Sequence, residues 1–296
     1  LALAILLALS CVAPVAHAQL VVNDDAEVTV DAARNEPTVV VGSSGSGVLN
    51  VVDGGALTVG GLLQLGVGGT SGLLFQSGGL VTLTNGPLEL GTVGTYQLAG
   101  GMLQAGGNDA ITGPGTLAFA GGTLQVTASP LTTGTSATFA TGTTSTIDTN
   151  GLGATWNGSF SGSGALNKAG TGTLTLMQPV GHGGLTTVSG GTLALAGASQ
   201  TMSGGVFVDA AGTFDISAMT GVSPTIVLPS LTGSGTVNVG TNTLAVDLAG
   251  NESFSGTVNL GSEGWLTPHG LFMKAGAGAL TVDGAPISGG RTFLLA

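Results

Sequence analysis

A pair of adjacent glycines followed closely by an apolar residue recurs about every two dozen residues along this chain of 296 residues. The doublets begin at Gly54, Gly78, Gly100, Gly121 and Gly190, so the first four are 24, 22 and 21 residues apart and the fifth follows after 69. A period of this size is typical of stacked repeats, in which each unit is too short to bury its own apolar face and shares one core with its neighbours. The repeat therefore constrains the architecture more than it constrains the function.

The composition favours a folded, nearly all-β chain. Glycine accounts for 56 residues, charged residues for 6% and hydrophobic residues for 42%, with a mean hydropathy of +0.52. Disordered chains have the opposite bias, with few apolar residues and many charges. Runs such as Thr173-Leu174-Thr175-Leu176 alternate with the two-residue period of a strand, and glycines separate them where the chain turns.

The length of the repeat predicts how the strands are arranged. Three short strands with three turns need about 20 to 24 residues, and stacked strands lie about 4.8 Å apart. We therefore expect a right-handed parallel β-helix in which each coil adds one strand to each of three sheets, with about 12 coils in all. The alternating Leu and Val residues should point inward.

The first 18 residues have the pattern of a secretory signal peptide. Leu1 to Leu9 is apolar, and Ala16-His17-Ala18 supplies the small residues that precede a cleavage site before Gln19. The apolar stretch is too short for a membrane-spanning helix, which needs about 20 residues. Cys11 has an alternative interpretation as a lipidation site, but the preceding residues lack the usual Leu. The mature chain would then contain no cysteine and no disulfide, although its destination is oxidising.

A second type of segment begins at Gly162. It contains Leu166-Asn167-Lys168-Ala169-Gly170-Thr171-Gly172-Thr173-Leu174-Thr175-Leu176 and returns through Thr186-Thr187-Val188-Ser189-Gly190-Gly191-Thr192-Leu193-Ala194-Leu195. This sequence closely resembles the autotransporter-associated β-strand repeat, also called the passenger-associated transport repeat. The segment Gln178-Pro179-Val180 departs from the family, which usually has Asn and an aromatic residue there. A weaker copy runs from Gly270 to Gly290, and its Lys274 follows Lys168 by 106 residues, about five predicted coils.

The resemblance implies a secreted or surface-displayed structural passenger or stalk of a Gram-negative bacterium, with adhesion as a further role. It also implies a partner, the outer-membrane translocator barrel, which the sequence to Ala296 does not contain, so we expect a chain truncated at its C-terminus. The predicted organisation is a signal peptide over 1–18, N-terminal coils over 19–126, less regular coils or a boundary over 127–161, and repeat-bearing β-helix over 162–296. An extracellular surface or a carbohydrate is the expected ligand class.

The charge excludes some partners. The net charge is -11, from 15 acidic residues and four basic ones, Arg34, Lys168, Lys274 and Arg291. Nucleic acids and anionic lipid surfaces require clustered Lys and Arg, so neither is an expected partner.

Candidate chemical groups are few, and we predict no catalytic, cofactor-binding or metal-binding residue. His17, His182 and His269 are far apart, and His182 between glycines is expected to be an exposed turn residue. The segment Gly106-Gly107-Asn108-Asp109 lacks the spacing of a calcium-binding β-roll loop. Lys168 and Lys274 are expected to keep exposed strand positions polar, with binding of an acidic ligand as the alternative. Trp156 and Trp265 are interpreted as caps of core ends, with a sugar-stacking platform as the alternative.

Parallel β-helices also carry polysaccharide lyases and glycosidases, so the carboxylates form the alternative functional hypothesis. Asp31 and Asp53 are 22 residues apart and can stack on adjacent coils, where a hydrolase would need its two carboxyl groups within about 5 to 9.5 Å. A structural explanation is favoured, in which four residues form a polar cap over the N-terminal end, namely Asp24, Asp25, Glu27 and Asp31. Asp209 and Asp215 are expected to be solvated turn residues.

A third hypothesis is a flat threonine face of the ice-binding type, suggested by Thr141-Gly142-Thr143-Thr144-Ser145-Thr146. Such a face needs threonines in register on successive coils, whereas these threonines lie in one stretch. The structural stalk is therefore the predicted function, and the pectate-lyase-like enzyme is its alternative.

Overall fold

The computed structural model describes residues 19–197, 201–221, 224–261, 270–283 and 287–289, together with the backbone of 291–294. These residues form a parallel β-solenoid of about 11 turns, which confirms the predicted parallel β-helix. No α-helix occurs among them, and a short 3-10 helix spans Val67–Gly69. Cys11, His17, Trp265 and His269 lie outside the described residues.

The chain divides into two compact units, over 19–146 and 147–296, and the border falls within the segment 127–161 that was expected to be less regular. That segment also forms strands. The strands up to the border are β1 (Leu20–Val22), β2 (Ala26–Val30), β3 (Ala33–Glu36), β4 (Val39–Val41), β5 (Gly47–Val51), β6 (Ala56–Val59), β7 (Leu63–Leu65), β8 (Gly72–Gln76), β9 (Leu80–Leu83), β10 (Leu88–Leu90), β11 (Gly94–Leu98), β12 (Met102–Thr112), β13 (Thr116–Phe119), β14 (Thr123–Thr133), β15 (Ala137–Phe139) and β16 (Thr144–Asp148).

The strands after the border are β17 (Ala154–Trp156), β18 (Phe160–Gly162), β19 (Ala165–Ala169), β20 (Thr173–Leu176), β21 (Thr186–Val188), β22 (Gly191–Leu195), β23 (Val206–Val208), β24 (Gly212–Asp215), β25 (Thr225–Leu228), β26 (Leu231–Gly233), β27 (Thr236–Gly240), β28 (Thr243–Asp247), β29 (Glu252–Phe254), β30 (Thr257–Leu260), β31 (Leu271–Ala275), β32 (Leu280–Val282), β33 (Ile287–Ser288) and β34 (Arg291–Leu294).

Each turn of the first unit contributes one strand to each of three parallel stacks. The stacks begin β1–β4–β7–β10, β2–β5–β8–β11–β13–β15 and β3–β6–β9–β12–β14. Strand β12 is long enough to serve two stacks, because Met102 pairs with Leu80 of β9 while Ile111 pairs with Leu88 of β10. The three-strand coil predicted from the repeat length is therefore present.

The repeat corresponds to a column of buried aliphatic side chains. Leu57 pairs with Val81, Val81 with Leu103, and Leu103 with Leu124, at separations of 24, 22 and 21 residues. All four side chains are fully buried. Their alignment shifts one assignment made from the sequence, since Val81 and not Leu80 takes the inward position after Gly78-Gly79. The inward positions follow the strand alternation more closely than they follow the residue type.

The two glycines of a doublet meet two different requirements. Gly79 has a φ of 64°, a left-handed conformation that residues with a Cβ rarely adopt. A Cβ on the preceding Gly78 would collide with the side chain of Asp53 on the turn below. The first requirement concerns the backbone bend at the corner, and the second concerns the close approach of successive turns.

The second unit has the same construction. Its stacks are β17–β20–β22–β24–β27–β30–β33, β19–β21–β23–β26–β29–β32 and β25–β28–β31–β34. Isolated bridges join Phe160, Val180 and Met202 on successive turns before β25 begins. A second buried column runs along the first of these stacks through Leu174, Leu193, Phe214, Val237 and Val258.

Candidate functional site

Lys168 lies inside the second unit, fully buried at the end of β19. Its Nζ donates hydrogen bonds of 2.9 Å to three main-chain carbonyls, those of Ala169, Gly170 and Gly190. Gly170 turns the corner with a φ of 76°. Burial lowers the pKa of Lys168 from its ordinary value of 10.5 to about 8, and the nearby carboxylate of Asp148 opposes this change.

Lys274 occupies a corner of the same construction, at the end of β31. It is 8% exposed, and its Nζ donates to the carbonyl of Gly276 at 2.5 Å, two residues further on. Gly276 has a φ of 80°. We call this arrangement, a buried Lys bonded to the carbonyl of a left-handed Gly two residues later, a lysine corner. The sequence Lys-Ala-Gly forms it in both copies of the repeat.

The preceding turn contributes equivalent groups to both corners. The Thr149 amide donates to the carbonyl of Ala169 at 3.0 Å, and the Leu248 amide donates to that of Ala275 at 3.1 Å. In each case the residue before the donor is an aspartate, Asp148 or Asp247. Its Oδ1 lies so close to the corner glycine that a Cβ on Gly170 or Gly276 would collide with it. The resemblance between the two sequence segments therefore extends to their local structure.

The expectation that Lys168 and Lys274 hold exposed strand positions is wrong. Leu166 and Lys168 are both inward in the alternation of β19, as are Phe272 and Lys274 in β31. The apolar stem of a lysine packs well in such a position, and the ammonium group reaches main-chain carbonyls at the corner. Neither ammonium group is presented to an external ligand.

The two lysine corners lie at different corners of the solenoid. Lys168 is on β19, which belongs to the stack β19–β21–β23–β26–β29–β32. Lys274 is on β31, in the stack β25–β28–β31–β34, and β31 directly precedes β32. The copies are therefore separated by two thirds of a turn beyond four full turns, and the predicted separation of about five coils was only approximate.

His182 is buried, at 1% exposure, so its assignment as an exposed turn residue is wrong. Its Nδ1 lies 3.2 Å from the carbonyl oxygen of Gly164, and its Nε2 lies 3.1 Å from the hydroxyl of Thr186. A carbonyl only accepts, so the proton of the neutral ring is on Nδ1 and the hydroxyl donates to Nε2. Burial lowers the pKa of His182, and the bond to Gly164 opposes this change. The ring connects the turn before β21 to the preceding turn.

The acidic residues of the first turns lie in exposed corners. Asp24 and Asp25 occupy a turn with positive φ, and Glu27 accepts a hydrogen bond of 2.6 Å from Asn50 on the outer surface of the next turn. Asp31 and Asp53 are exposed in equivalent loops of successive turns, after β2 and β5. The predicted stacking on adjacent coils is thus observed at the level of the loops.

Arg34 and Glu36 form the inward polar pair of the first turn. Their side chains form an ion pair of 2.5 Å, Nε to Oε1. They pair with Leu57 and Val59, which are buried in the next turn. The other oxygen of Glu36, Oε2, is buried and has no hydrogen-bond partner within the described part of the chain. This ion pair, and not the four acids proposed from the sequence, places charge at the core position of the first turn.

The remaining candidates have structural surroundings. Asp209 and Asp215 bond to nearby main-chain amides, of Ala210 at 2.7 Å and of Ser217 at 2.8 Å, as expected of turn residues. Trp156 is fully buried and meets Phe160 edge to face, with ring centroids 5.1 Å apart. A buried ring is a core residue, which rules out Trp156 as a sugar-stacking platform.

Threonines in register occur where the sequence analysis did not place them. Thr173, Thr192, Thr213, Thr236 and Thr257 pair consecutively on five successive turns of the second unit. We call this column the Thr ladder. The missed signal is a Gly-Thr-apolar triplet, which recurs at residues 172–174, 191–193, 212–214, 235–237 and 256–258. The doublet search recognised only one of these five triplets.

A second polar column runs parallel to the Thr ladder, two residues further along each strand. Asn259 Nδ2 donates to Asn238 Oδ1 at 2.8 Å, and Asn238 Nδ2 lies 3.5 Å from Asp215 Oδ2. Ser288 extends the column by a bond of 3.1 Å to Asn259. These bonds run along the stack from turn to turn, so they hold the outer side chains of this sheet in register.

The described residues contain no group of three or more His, Cys, Asp or Glu side chains placed to hold a metal ion. Over the same residues, no helix has the length and apolar character needed to cross a membrane. Comparisons with known protein families, with curated proteins and with solved structures find no match to this chain. The fold and the two lysine corners therefore define the chain as a parallel β-solenoid built from a repeated strand-corner-strand segment.

Proposed function

We propose that this chain is a structural module, a secreted or surface-displayed β-solenoid stalk of the autotransporter passenger type, with adhesion as a further role. The observation that supports this proposal best is the use of the two repeat lysines. Both ammonium groups are buried and bonded to corner carbonyls, so the distinctive residue of the repeat builds the solenoid. A repeat whose only reactive side chain is consumed by its own backbone is suited to display and not to turnover.

The alternative enzyme has weaker support. Asp31 and Asp53 lie in exposed loops, and the nearest base in the sequence, Arg34, is paired with Glu36. A lyase would need a base free to act on bound substrate, and a hydrolase would need one carboxyl group protonated by its surroundings. The loops provide neither feature in an evident form. We therefore propose that the chain is not an enzyme and that its extracellular partners are surfaces or carbohydrates.

Localisation is the direct test of this proposal. The native protein should be digested when intact cells are treated with a protease that cannot enter them, while a periplasmic marker stays intact. Retention of the whole protein inside lysed but not intact cells would contradict surface display. An outer-membrane translocator, encoded in the same reading frame or by a neighbouring gene, is the expected partner in such cells.

Turnover is tested separately on the purified protein. A panel of neutral and acidic polysaccharides should remain uncleaved after prolonged incubation. Cleavage that disappears in the double variant Asp31→Asn, Asp53→Asn would refute the structural proposal and establish the enzyme. The variant Asp209→Asn is the matched control, because it removes another exposed turn carboxylate of the same chain.

A further inference from the structure

The outer surface of the stack β20–β22–β24–β27–β30 carries side chains that repeat from turn to turn. Along each strand the inward residue is fully buried, so the flanking residues on either side of it face outward. The first outward column is the Thr ladder, and the second is the column that contains Asn238 and Asn259. The five threonines are part-exposed or exposed.

The Thr ladder is a rigid array. Successive strands are about 4.8 Å apart, so the four intervals between the five threonines span about 19 Å. Threonine is branched at Cβ, which restricts its χ1 angle and gives each turn the same choice of hydroxyl and methyl positions. The main chain fixes the spacing, since the Thr192 amide donates to the carbonyl of Gly172 and the Thr257 amide to that of Gly235. Little conformational entropy remains to be lost when such a surface binds a partner.

The hydroxyl groups of the Thr ladder are available to a partner. None of the five forms a hydrogen bond with another group in the part of the chain that the structure describes. A hydroxyl can donate one hydrogen bond and accept two. The ten outward positions of these five strands include one charged residue, Asp215, whose carboxylate bonds to the Ser217 amide and faces Asn238. The array is therefore almost neutral, and it offers both donors and acceptors at equal intervals.

A partner gains from this array in proportion to the number of turns that it contacts. A small soluble ligand reaches one or two hydroxyls, and each exposed hydroxyl contributes little on its own. A solid with its own repeat contacts all five at once, so the contacts act together. Crystalline polysaccharide would favour aromatic side chains that cover sugar rings, and the ten outward positions contain none. A lattice of water molecules matches the available groups, because each of its molecules both donates and accepts.

We infer that the Thr ladder of β20, β22, β24, β27 and β30 is a binding face for ice. This activity goes beyond the proposed structural role and does not depend on secretion or display. The stretch Thr141–Thr146, which suggested such a face in the sequence, is not the site. Its members belong to one turn around β16, whereas the ladder places one threonine on each of five turns.

The test is partition of the purified full chain into slowly growing ice, together with the inhibition of ice recrystallisation. The unsubstituted protein should be enriched in the ice fraction relative to a non-binding protein frozen in the same sample. The double variant Thr213→Lys, Thr236→Lys interrupts the centre of the ladder, and its partition should fall about tenfold or more because two contacts and the match of their neighbours are lost. Circular dichroism and the melting temperature establish that the variant is folded.

The matched control is the double variant Thr95→Lys, Thr116→Lys. These two threonines also pair in register on successive turns, in β11 and β13, and face outward, but they lie in the first unit and outside the ladder. Their substitution adds the same charge and should leave the partition unchanged. If the lysine variant of the ladder does not fold, the milder pair Thr213→Ser, Thr236→Ser should reduce partition severalfold, since it removes two methyl groups and frees χ1.

Three outcomes would overturn the inference. The unsubstituted protein might be excluded from ice like the reference protein, or the folded ladder variant might partition as well as the control. The third is binding to microcrystalline cellulose or chitin, lost in the ladder variant, without any effect on ice. That result would assign the face to a crystalline polysaccharide instead.

Discussion

Replacing Lys168 by Met tests whether the lysine corner holds the second unit together. Methionine has a similar unbranched shape, so it fills the same volume and removes the ammonium group. The carbonyl of Ala169 keeps the Thr149 amide as a donor, but those of Gly170 and Gly190 lose the lysine. Each lost bond costs about 1–3 kcal/mol, and removal of a buried charge offsets part of that sum. We expect the free energy of unfolding to fall by about 2 kcal/mol at pH 7.

The pH dependence separates this explanation from a simple packing defect. The pKa of Lys168 is about 8 in the folded chain and near 10.5 when unfolded, so the unfolded chain binds more protons between these values. Stability from this group is therefore present above pH 10.5 and is lost as the pH falls through 8. A pKa difference of this size corresponds to about 3 kcal/mol. The gap between the unsubstituted protein and Lys168→Met should widen by that amount from pH 7.5 to pH 10.5.

Urea unfolding followed by circular dichroism measures both quantities. Tyr96 is buried, which raises its pKa and makes it titrate in the same alkaline range, but it is present in both proteins and cancels in the difference. Lys274→Met is the matched control at pH 7, because its ammonium group bonds to one carbonyl and should cost about 1 kcal/mol. A gap at pH 7 that stays constant up to pH 10.5 would refute the buried-ammonium explanation. Equal stability of Lys168→Met and the unsubstituted protein at pH 7 would refute the role of the corner itself.

Three further changes test other parts of the structure. Gly79→Ala should lower the free energy of unfolding by about 2 kcal/mol or more, since φ is positive and the new Cβ meets the Gly55 carbonyl, whereas Gly134→Ala, which has open space, should change it little; similar melting temperatures for the two would contradict this. His182→Gln should remove a loss of stability on acidification, because the depressed pKa of the buried ring makes the folded chain less stable as the pH falls below 6.5 and through the folded pKa; unfolding midpoints at pH 7.5 and 5 test this, and parallel losses would count against it. Leu193→Ala should cost about 2–5 kcal/mol by leaving a cavity in the buried column, measured by urea unfolding, and a cost below 1 kcal/mol would show that the turn collapses around it.

The architecture could be predicted because its requirements are local. A corner between stacked turns needs a glycine, and the interior needs apolar residues at every second position, so both leave periodic marks in the sequence. Even so, the doublet at Gly78 was aligned by residue type to Leu80, while the strand alternation places Val81 inside. The phase within a strand is the stronger signal.

The lysines show where residue chemistry misled the prediction. Leu166 and Lys168 have the same phase in β19, so alternation alone places the lysine inside. The charge argued for the surface, but three carbonyls at a tight corner form a cation site that no single-sequence pattern reveals. His182 was misassigned for the same reason, because its partners Gly164 and Thr186 belong to the preceding turn and to the following strand. The Thr ladder escaped because register joins residues 19 to 23 positions apart, and irregular turn lengths hide it from a fixed-period search.

The positions of the two lysine corners bear on how a gene for such a protein can grow. One corner begins on the stack of β19 and the other on the stack of β31, one side of the coil earlier, yet both have the same hydrogen bond and the same glycine. A strand-corner-strand segment therefore fits at more than one corner of the coil. Duplication or deletion of such a segment need not comprise a whole turn, since an insertion of one side advances every later residue by one face. Small changes in copy number can thus move a surface pattern around the coil while the interior stays the same.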